Sequence, residues 1–375
     1  MLLAVLGRPS RRARAATLLA GAGIVLASGA AVGHIDTAAN PLNYFIPGTP
    51  VRVALERVDA ALAGSTSFEF LARTDEDGLK DPRILARLDT LATRLASLDG
   101  IPRVLSVLDL LRETRKGLTD GEQTGLPTPA DHPHLAAQLF FFLEGDEDFP
   151  TLVQENYGLA RLTARVQMSK ANDVTRAGPR IDAWIAEAEA PIPGGPALRI
   201  ESTGYVKLMA DMERYLFDSQ VKSLIVAFIV ITLMMFLLLR SVKLGLLAMI
   251  PNGLPILFGL GFMALVDIPL DPGTIMIGSM ALGLVVDDTV HFLVRLRRSL
   301  ADAPMAPAIE RTMAQTGRPI IVTSVVLALG FATLGFGSFT PNVAFGVVSA
   351  VVILVALLAD LLLLPAVLLV GQEDA

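Results

Sequence analysis

Apolar residues are concentrated in two parts of the chain. Ala15 to Gly33 is an uncharged run of about 19 residues, and five further apolar segments follow at about 221–239, 244–266, 272–294, 319–337 and 343–370. Each is close to or longer than the roughly 20 residues needed to cross a bilayer at 1.5 Å per residue. Between them, residues 34–220 have the pattern of a water-exposed folded domain. Ser67-Phe68-Glu69-Phe70-Leu71 and Arg161-Leu162-Thr163-Ala164-Arg165-Val166 alternate as half-buried strands do. Pro82 to Leu98 spaces Ile84, Leu85, Leu88, Leu91, Ala92 and Leu95 as a helix, with Asp81 as its cap. A second helix is predicted over 174–189 and a strand near Leu198–Ser202, whereas 117–133 reads as a turn-rich mobile loop. This order predicts an α+β domain with helices on one face of a sheet.

Charge at the junctions orients the spans. Arg8, Arg11, Arg12 and Arg14 precede the first, Arg240 and Lys243 follow the second, and Arg295, Arg297, Arg298, Arg311 and Arg318 lie between the fourth and fifth. The alternate turns carry Asp267, Asp271 and the uncharged stretch Ser338–Asn342. The positive-inside rule then predicts 1–14 as a cytoplasmic N-terminus, 15–33 as transmembrane helix 1 and 34–220 as a periplasmic domain. It places 221–370 as a five-helix bundle and 371–375 as a cytoplasmic tail. Ala27-Ser28-Gly29-Ala30-Ala31 after a basic start also fits a signal peptide, but the run is longer than the usual 7–15 residues of a signal core. A retained helix is the reading adopted.

Composition agrees and closes off alternatives. Hydrophobic residues make up 53% and charged residues 18%, with mean hydropathy +0.56; soluble domains average about 45–50% and about 25%. The absence of cysteine excludes disulfides and thiolate chemistry, and a net charge of -6 gives no reason to expect nucleic acid. Phosphate-loop, serine-elbow and zinc-protease motifs are lacking. No enzyme activity, cofactor or metal is expected. His132 and His134 beside Asp131 have too few companion ligands for a metal site, and Trp184 is expected to pack within the domain.

Ionisable residues inside spans are costly, so each is a functional candidate. The fourth span holds Asp287, Asp288 and His291, and the sixth holds Asp360. Counting from the basic ends, Asn252 in the third span and Thr323 and Ser324 in the fifth fall in the same layer, roughly 8–15 Å from the inner surface. Ser279, Gly283, Asp287 and His291 recur every four residues and share one stripe, whose small members let a neighbouring helix approach. His291 is within reach of both carboxylates. Such a cluster is suited to exchanging protons, and one proton moving down 100 mV releases roughly 2.3 kcal/mol. The alternative is a structural role, with the aspartates hydrogen-bonded to Asn252, Thr323 or Ser324. Asn252 itself, between Pro251 and Pro255, is also placed to satisfy backbone groups that the prolines free.

Gly283-Leu284-Val285-Val286-Asp287-Asp288-Thr289-Val290-His291-Phe292-Leu293 resembles the fourth-span motif of the resistance–nodulation–division (RND) superfamily. The likeness is greatest to the branch of MMPL-type transporters and sterol-sensing-domain proteins. Asn40-Pro41-Leu42-Asn43-Tyr44-Phe45-Ile46-Pro47, Pro251-Asn252-Gly253-Leu254-Pro255, Gly317-Arg318-Pro319 with Thr323-Ser324, and Asp360-Leu361 to Pro365 agree with it. The resemblance implies a polytopic α-helical membrane protein of six transmembrane helices, with an α+β extracytoplasmic porter-like domain between helices 1 and 2. It implies Asp287 and Asp288 as proton carriers, Thr323 or Ser324 as helpers, and the proton gradient as energy source. The expected substrate is a membrane lipid or hydrophobic small molecule taken from the outer leaflet or periplasm of a bacterial inner membrane. Family members usually carry two six-span repeats, and this chain resembles the C-terminal one. It is therefore expected to act as a homodimer or with a separately encoded half. Large drug pumps of the superfamily set a lysine opposite the aspartates; no lysine lies in the interior of a span here, Lys222 standing at the very start of the second, which leaves His291 or protonation to neutralise them. Two other readings stay open, an auxiliary of protein export resembling SecD/SecF and a non-transporting lipid sensor or scaffold.

Overall fold

In a computed structural model, residues 7, 9–35, 41–132 and 134–370 are described. Residues 1–6 and Arg8 of the expected cytoplasmic N-terminus 1–14, Asn40 and the tail 371–375 lie outside them. The chain divides into two compact units, Asn40–Met212 and, around it in sequence, Met1–Ala39 with Glu213–Ala375.

The first unit is built on a four-stranded sheet. Its elements run α2 (Pro50–Ala61), β1 (Thr66–Thr74), α3 (Pro82–Ala96), β2 (Arg103–Leu105), α4 (Val107–Leu118), α5 (Leu135–Leu143), α6 (Phe149–Leu152), β3 (Leu159–Val166), α7 (Ala171–Arg176), α8 (Gly178–Ala188) and β4 (Leu198–Thr203). The strand order is β2-β3-β1-β4 and every pairing is antiparallel, the split β-α-β arrangement of ferredoxin-like domains. Alternation does the work: Phe68, Phe70 and Ala72 of β1 and Leu162, Ala164 and Val166 of β3 are buried. They join Ile84, Leu85, Leu88, Leu91 and Leu95 of α3 and Ile181 and Ile185 of α8 in one core. Asp81 caps α3 by accepting from the Arg83 amide at 2.8 Å. The helix predicted over 174–189 is broken at Ala177, because Pro179 restarts it in the first turn of α8. The 117–133 segment, expected to be mobile, is fastened by the buried Arg115, which donates to Leu126 O (2.8 Å), Gln123 Oε1 and Asp131 Oδ1 (3.0 Å). Trp184 is partly buried, with Arg180 over its ring.

The second unit contains six helices long and apolar enough to cross a membrane. They are α1 (Arg11–Val32), α9 (Tyr205–Leu239), α10 (Val242–Leu265), α11 (Ile277–Ser299, preceded by a 3-10 turn), α12 (Met305–Ala332) and α13 (Thr340–Leu358). The last continues through a π-helical turn at Ala359–Leu363 into α14 (Leu364–Leu368). Two helices start earlier than their apolar runs. The 35 residues of α9 span about 52 Å at 1.5 Å each, well beyond the ~30 Å of hydrocarbon. Its first turns, Tyr205 to Met212, fall in the first unit, and the same helix continues from Glu213 in the second, so the exposed domain expected over 34–220 and the second span share one helix. Likewise α12 begins at Met305, so Arg311 and Arg318 lie on a helix rather than in a loop. Met305, Ala308, Ile309, Thr312 and Met313 bury one face at helical spacing there, which stabilises those turns outside the apolar run.

Close approach orders the bundle. α1 lies against α10 where a Cβ on Gly261 would stand 2.7 Å from Ser28 Cα. α13 packs on α10, α11 and α12. Arg14 on α1 donates to the Leu369 carbonyl at 2.7 Å, satisfying an orphan acceptor at the end of the sixth span. α9 is almost entirely exposed along its apolar stretch.

Candidate functional site

The fourth span, α11, turns two different faces outward and inward. Leu282, Val285, Val286, Thr289, Phe292, Leu293 and Leu296 are buried, and Thr289 is the polar member of that stripe. Thr289 is fully buried. Its hydroxyl lies 2.7 Å from Asn252 Oδ1 of α10 and 2.7 Å from Asp360 Oδ1 of the sixth span. Asn252 and Asp360 are 0% and 2% exposed. Three spans thus meet in one hydrogen-bonded polar knot. The knot forms because Asp360 stands in the π turn, where an extra residue alters the helical phase.

Adjacent residues on a helix are about 100° apart, so the two carboxylates of α11 diverge. Asp288 is half-buried and accepts from the Ser324 hydroxyl of α12 at 2.9 Å. Asp287 points away from the bundle and pairs with His291, Oδ1 to Nε2 at 3.5 Å, their side chains 71% and 74% exposed. Gly283, one turn up the same stripe, meets nothing within 4 Å of where a Cβ would be. Among the described residues, the helix contact expected at Gly283 is therefore absent. Ser279 does make one: Gln220 of α9 donates to its hydroxyl, which itself donates to the Met276 carbonyl at 3.2 Å.

Asp287, Asp288 and His291 open onto a groove of about 510 Å³ between α11 and α12. Arg295, Arg298, Gln315 and Thr323 line it too, and Arg295 donates to Gln315 at 2.6 Å. The Thr323 hydroxyl donates back to the carbonyls of Pro319 (3.1 Å) and Ile320 (3.0 Å), while the buried Ser324 makes the bond to Asp288. Ser324 makes the 2.9 Å bond to the carboxylate, and the Thr323 side chain interacts with the same group. Every residue singled out in the sequence layer thus lies in the knot, in the groove or at their boundary, apart from Ser279 and Gly283 further up the stripe. Thr289, Gln315 and Arg298 were not singled out. Thr289 was detectable as the one hydroxyl interrupting an apolar stripe of α11; Gln315 and Arg298 required the packing of α12 to be known.

A second, apolar cavity of about 100 Å³ lies toward the Asp271 end of the bundle. Val221 and Leu224 of α9, Ile256 and Leu260 of α10, and Ile277 and Ala281 of α11 line it, and the Gln220–Ser279 pair is its polar contact. Its walls suit a hydrocarbon chain and offer little to a polar solute. Among the described residues no group of histidine and carboxylate side chains is placed to hold a metal ion.

A sequence model of the MMPL family matches residues 45–373. A protein of Methanocaldococcus jannaschii, described as a membrane protein, is 26% identical over 297 residues, 79% of this chain and 73% of that one.

Proposed function

The chain belongs to the MMPL family of RND-type membrane transporters, and from that premise we propose that it exports hydrophobic or amphiphilic, lipid-like molecules using a proton gradient. The observation that carries this reading is the placement of Asp287, Asp288 and His291. Three ionisable groups at mid-span open onto a groove roomy enough for several waters, and one of them is hydrogen-bonded to a hydroxyl of the next span. Intramembrane carboxylates are retained for ion movement far more often than for packing. In this reading a proton enters the groove and is held by Asp287 or Asp288. Uptake discharges the Ser324–Asp288 bond's acceptor, which frees α11 to shift against α12. His291 steadies whichever carboxylate remains charged.

The apolar cavity between α9, α10 and α11 supports a substrate with an alkyl portion, entering from the outer leaflet. The bare stripe Gly283–Asp287–His291 supports a partner: a second copy of the chain, or a separately encoded half, would cover it and exclude lipid from the carboxylates. The ferredoxin-like unit is then porter-like and periplasmic, with both ends of the chain in the cytoplasm of a bacterial inner membrane. A protein-export auxiliary would share this plan, but the apolar cavity favours an alkyl substrate over a polypeptide.

The test is transport of a fluorescent amphiphile in proteoliposomes with an imposed pH gradient. Wild-type protein is expected to move it only when the gradient is present, and Asp288→Asn to reduce the gradient-driven rate at least tenfold. Unchanged rates in Asp288→Asn, or transport indifferent to the gradient, would overturn the proposal.

A further inference from the structure

Asp360 stands apart from the groove. It does not line it, belongs to a different span and is closed off from solvent. We infer that Asp360 is a proton-binding site in its own right, a carboxylic acid kept inside the bundle and wired through Thr289 to Asn252. The inference rests on the transport reading for the use made of this proton, not for its presence.

Hydrogen counting leads there first. Two oxygen–oxygen contacts of 2.7 Å converge on the Thr289 hydroxyl, one from Asp360 and one from Asn252. Each contact needs a hydrogen between its atoms, and a hydroxyl supplies one. With Asn252 presenting Oδ1, the second hydrogen comes from the carboxyl. Asp360 Oδ1–H donates to Thr289 Oγ, and Thr289 Oγ–H donates to Asn252 Oδ1. The other oxygen, Oδ2, is buried without a hydrogen-bond partner. An ionised carboxylate left this way in a dry interior carries an uncompensated charge, whereas the carbonyl oxygen of a neutral acid forgoes one ordinary hydrogen bond.

Among the described residues the surroundings offer no counter-charge. From α10 the facing group is Asn252, from α11 it is Thr289, and α12 presents the Ser324 hydroxyl to Asp288 rather than to Asp360. The titratable group within electrostatic reach is Asp288, of the same sign. The packed stretch of α1, Ala15 to Gly33, is uncharged, and its Arg14 is bonded to the Leu369 carbonyl nine residues further along. A metal ion would need its oxygen ligands spread around it, while these are already in contact with one another.

Removing the proton rearranges the knot. The acid loses H⁺ to an acceptor, leaving a carboxylate. The single hydrogen of Thr289 then turns to Asp360, and the bond to Asn252 Oδ1 is given up. Occupancy at Asp360 thereby sets whether α10 is tied to α11. The π turn that presents Asp360 is the kind of local irregularity that recurs at functional positions in helices.

Infrared difference spectroscopy of the purified full-length protein in lipid, recorded over a pH titration, reads the acid directly. The wild type is expected to show the C=O stretch of a buried protonated carboxyl that Asp360→Asn lacks. Thr289→Val is expected to keep this band at a shifted frequency, since the acid loses its acceptor. Asp287→Asn/Asp288→Asn is expected to leave the band in place, which separates it from the groove. Superimposable spectra of wild type and Asp360→Asn would overturn the inference, placing a charged Asp360 beside a turned Asn252 amide. Should Asp360→Asn fail to fold, an unshifted spectrum in Thr289→Val overturns it equally. Because the band does not depend on transport, failure of gradient-driven export would leave this result standing.

Discussion

At the scale of single residues, the molecule separates charges that the sequence sets side by side. Asp287 and Asp288 are neighbours in the chain, yet one is exposed beside His291 and the other is drawn in to Ser324. Counting residues past each basic end sets Asn252, Asp288, Ser324 and Asp360 in one layer; in the fold Asn252 and Asp360 meet through Thr289, and Ser324 bonds Asp288. Rotation about each helix axis was not legible in that count, because it depends on which neighbour a face meets. Hence Thr289, the hub of the buried knot, was quoted within a motif but given no role. Arg115 makes a similar point in the other unit. Its surrounding turn-rich sequence reads as mobile, but a buried guanidinium with three fixed acceptors holds it. Arg115→Ala is expected to cost about 2 kcal/mol, the loss of hydrogen bonds to a charged donor. Hydrogen exchange of the full chain should show faster exchange over residues 119–134, with the sheet unaffected; uniform exchange in both would refute the clamp. The Thr128 amide and hydroxyl, with Arg115 beside them, hold Asp131 below the usual carboxylate range. A lowered carboxyl stabilises above its unfolded value and loses that contribution as pH falls through the lowered one. Protection of the Thr128 amide is therefore expected to persist down to about pH 4 and to fade only below it. Fading that begins well above that pH would contradict the assignment.

At the scale of elements, hydrophobic periodicity located the strands β1, β3 and β4, the helix α3 and all six spans, because each is defined by a face or length that must be buried. It missed β2, three residues long, and the polar first turns of α9 and α12. Those turns are held by packing or by continuity with a long helix, neither of which leaves an apolar run. The π turn at Ala359–Leu363 was equally silent, since it changes phase without changing composition. Helix crossings are set by glycines whose environments differ sharply. At Gly261 a side chain would strike the α1 backbone, whereas at Gly283 it would meet open space. Gly261→Leu is expected to lower the detergent-solubilised protein's thermal midpoint by several degrees, an overpacking cost of about 1–3 kcal/mol. Gly283→Leu is expected to leave the monomer's midpoint unchanged. Thermal scans followed by size-exclusion chromatography check both, and equal effects would refute the crossing.

At the scale of the whole molecule, Asp287 and its histidine lie bare on one face of the bundle. In hydrocarbon that exposure is unfavourable unless another protein surface covers it. A second copy, or a separate half, set against the Gly283–Asp287–His291 stripe would remove it, and native mass spectrometry is expected to detect such an assembly. Gly283→Trp is expected to shift that population to monomer without unfolding it. An assembly that withstands Gly283→Trp would place the interface elsewhere. The family and the six long apolar helices were readable from the chain alone, while substrate and partner are properties of surfaces that sequence patterns describe poorly.

The proposed export depends on proton movement by the acids of the fourth span. Its most direct measurement is proton flux itself, followed with a pH-sensitive dye trapped in proteoliposomes holding the full-length protein and an amphiphile. Wild-type protein is expected to acidify or alkalinise the lumen in step with amphiphile movement, and Asp287→Asn/Asp288→Asn to abolish the flux while leaving the fold intact. Equal proton flux in wild type and the double variant would contradict the account.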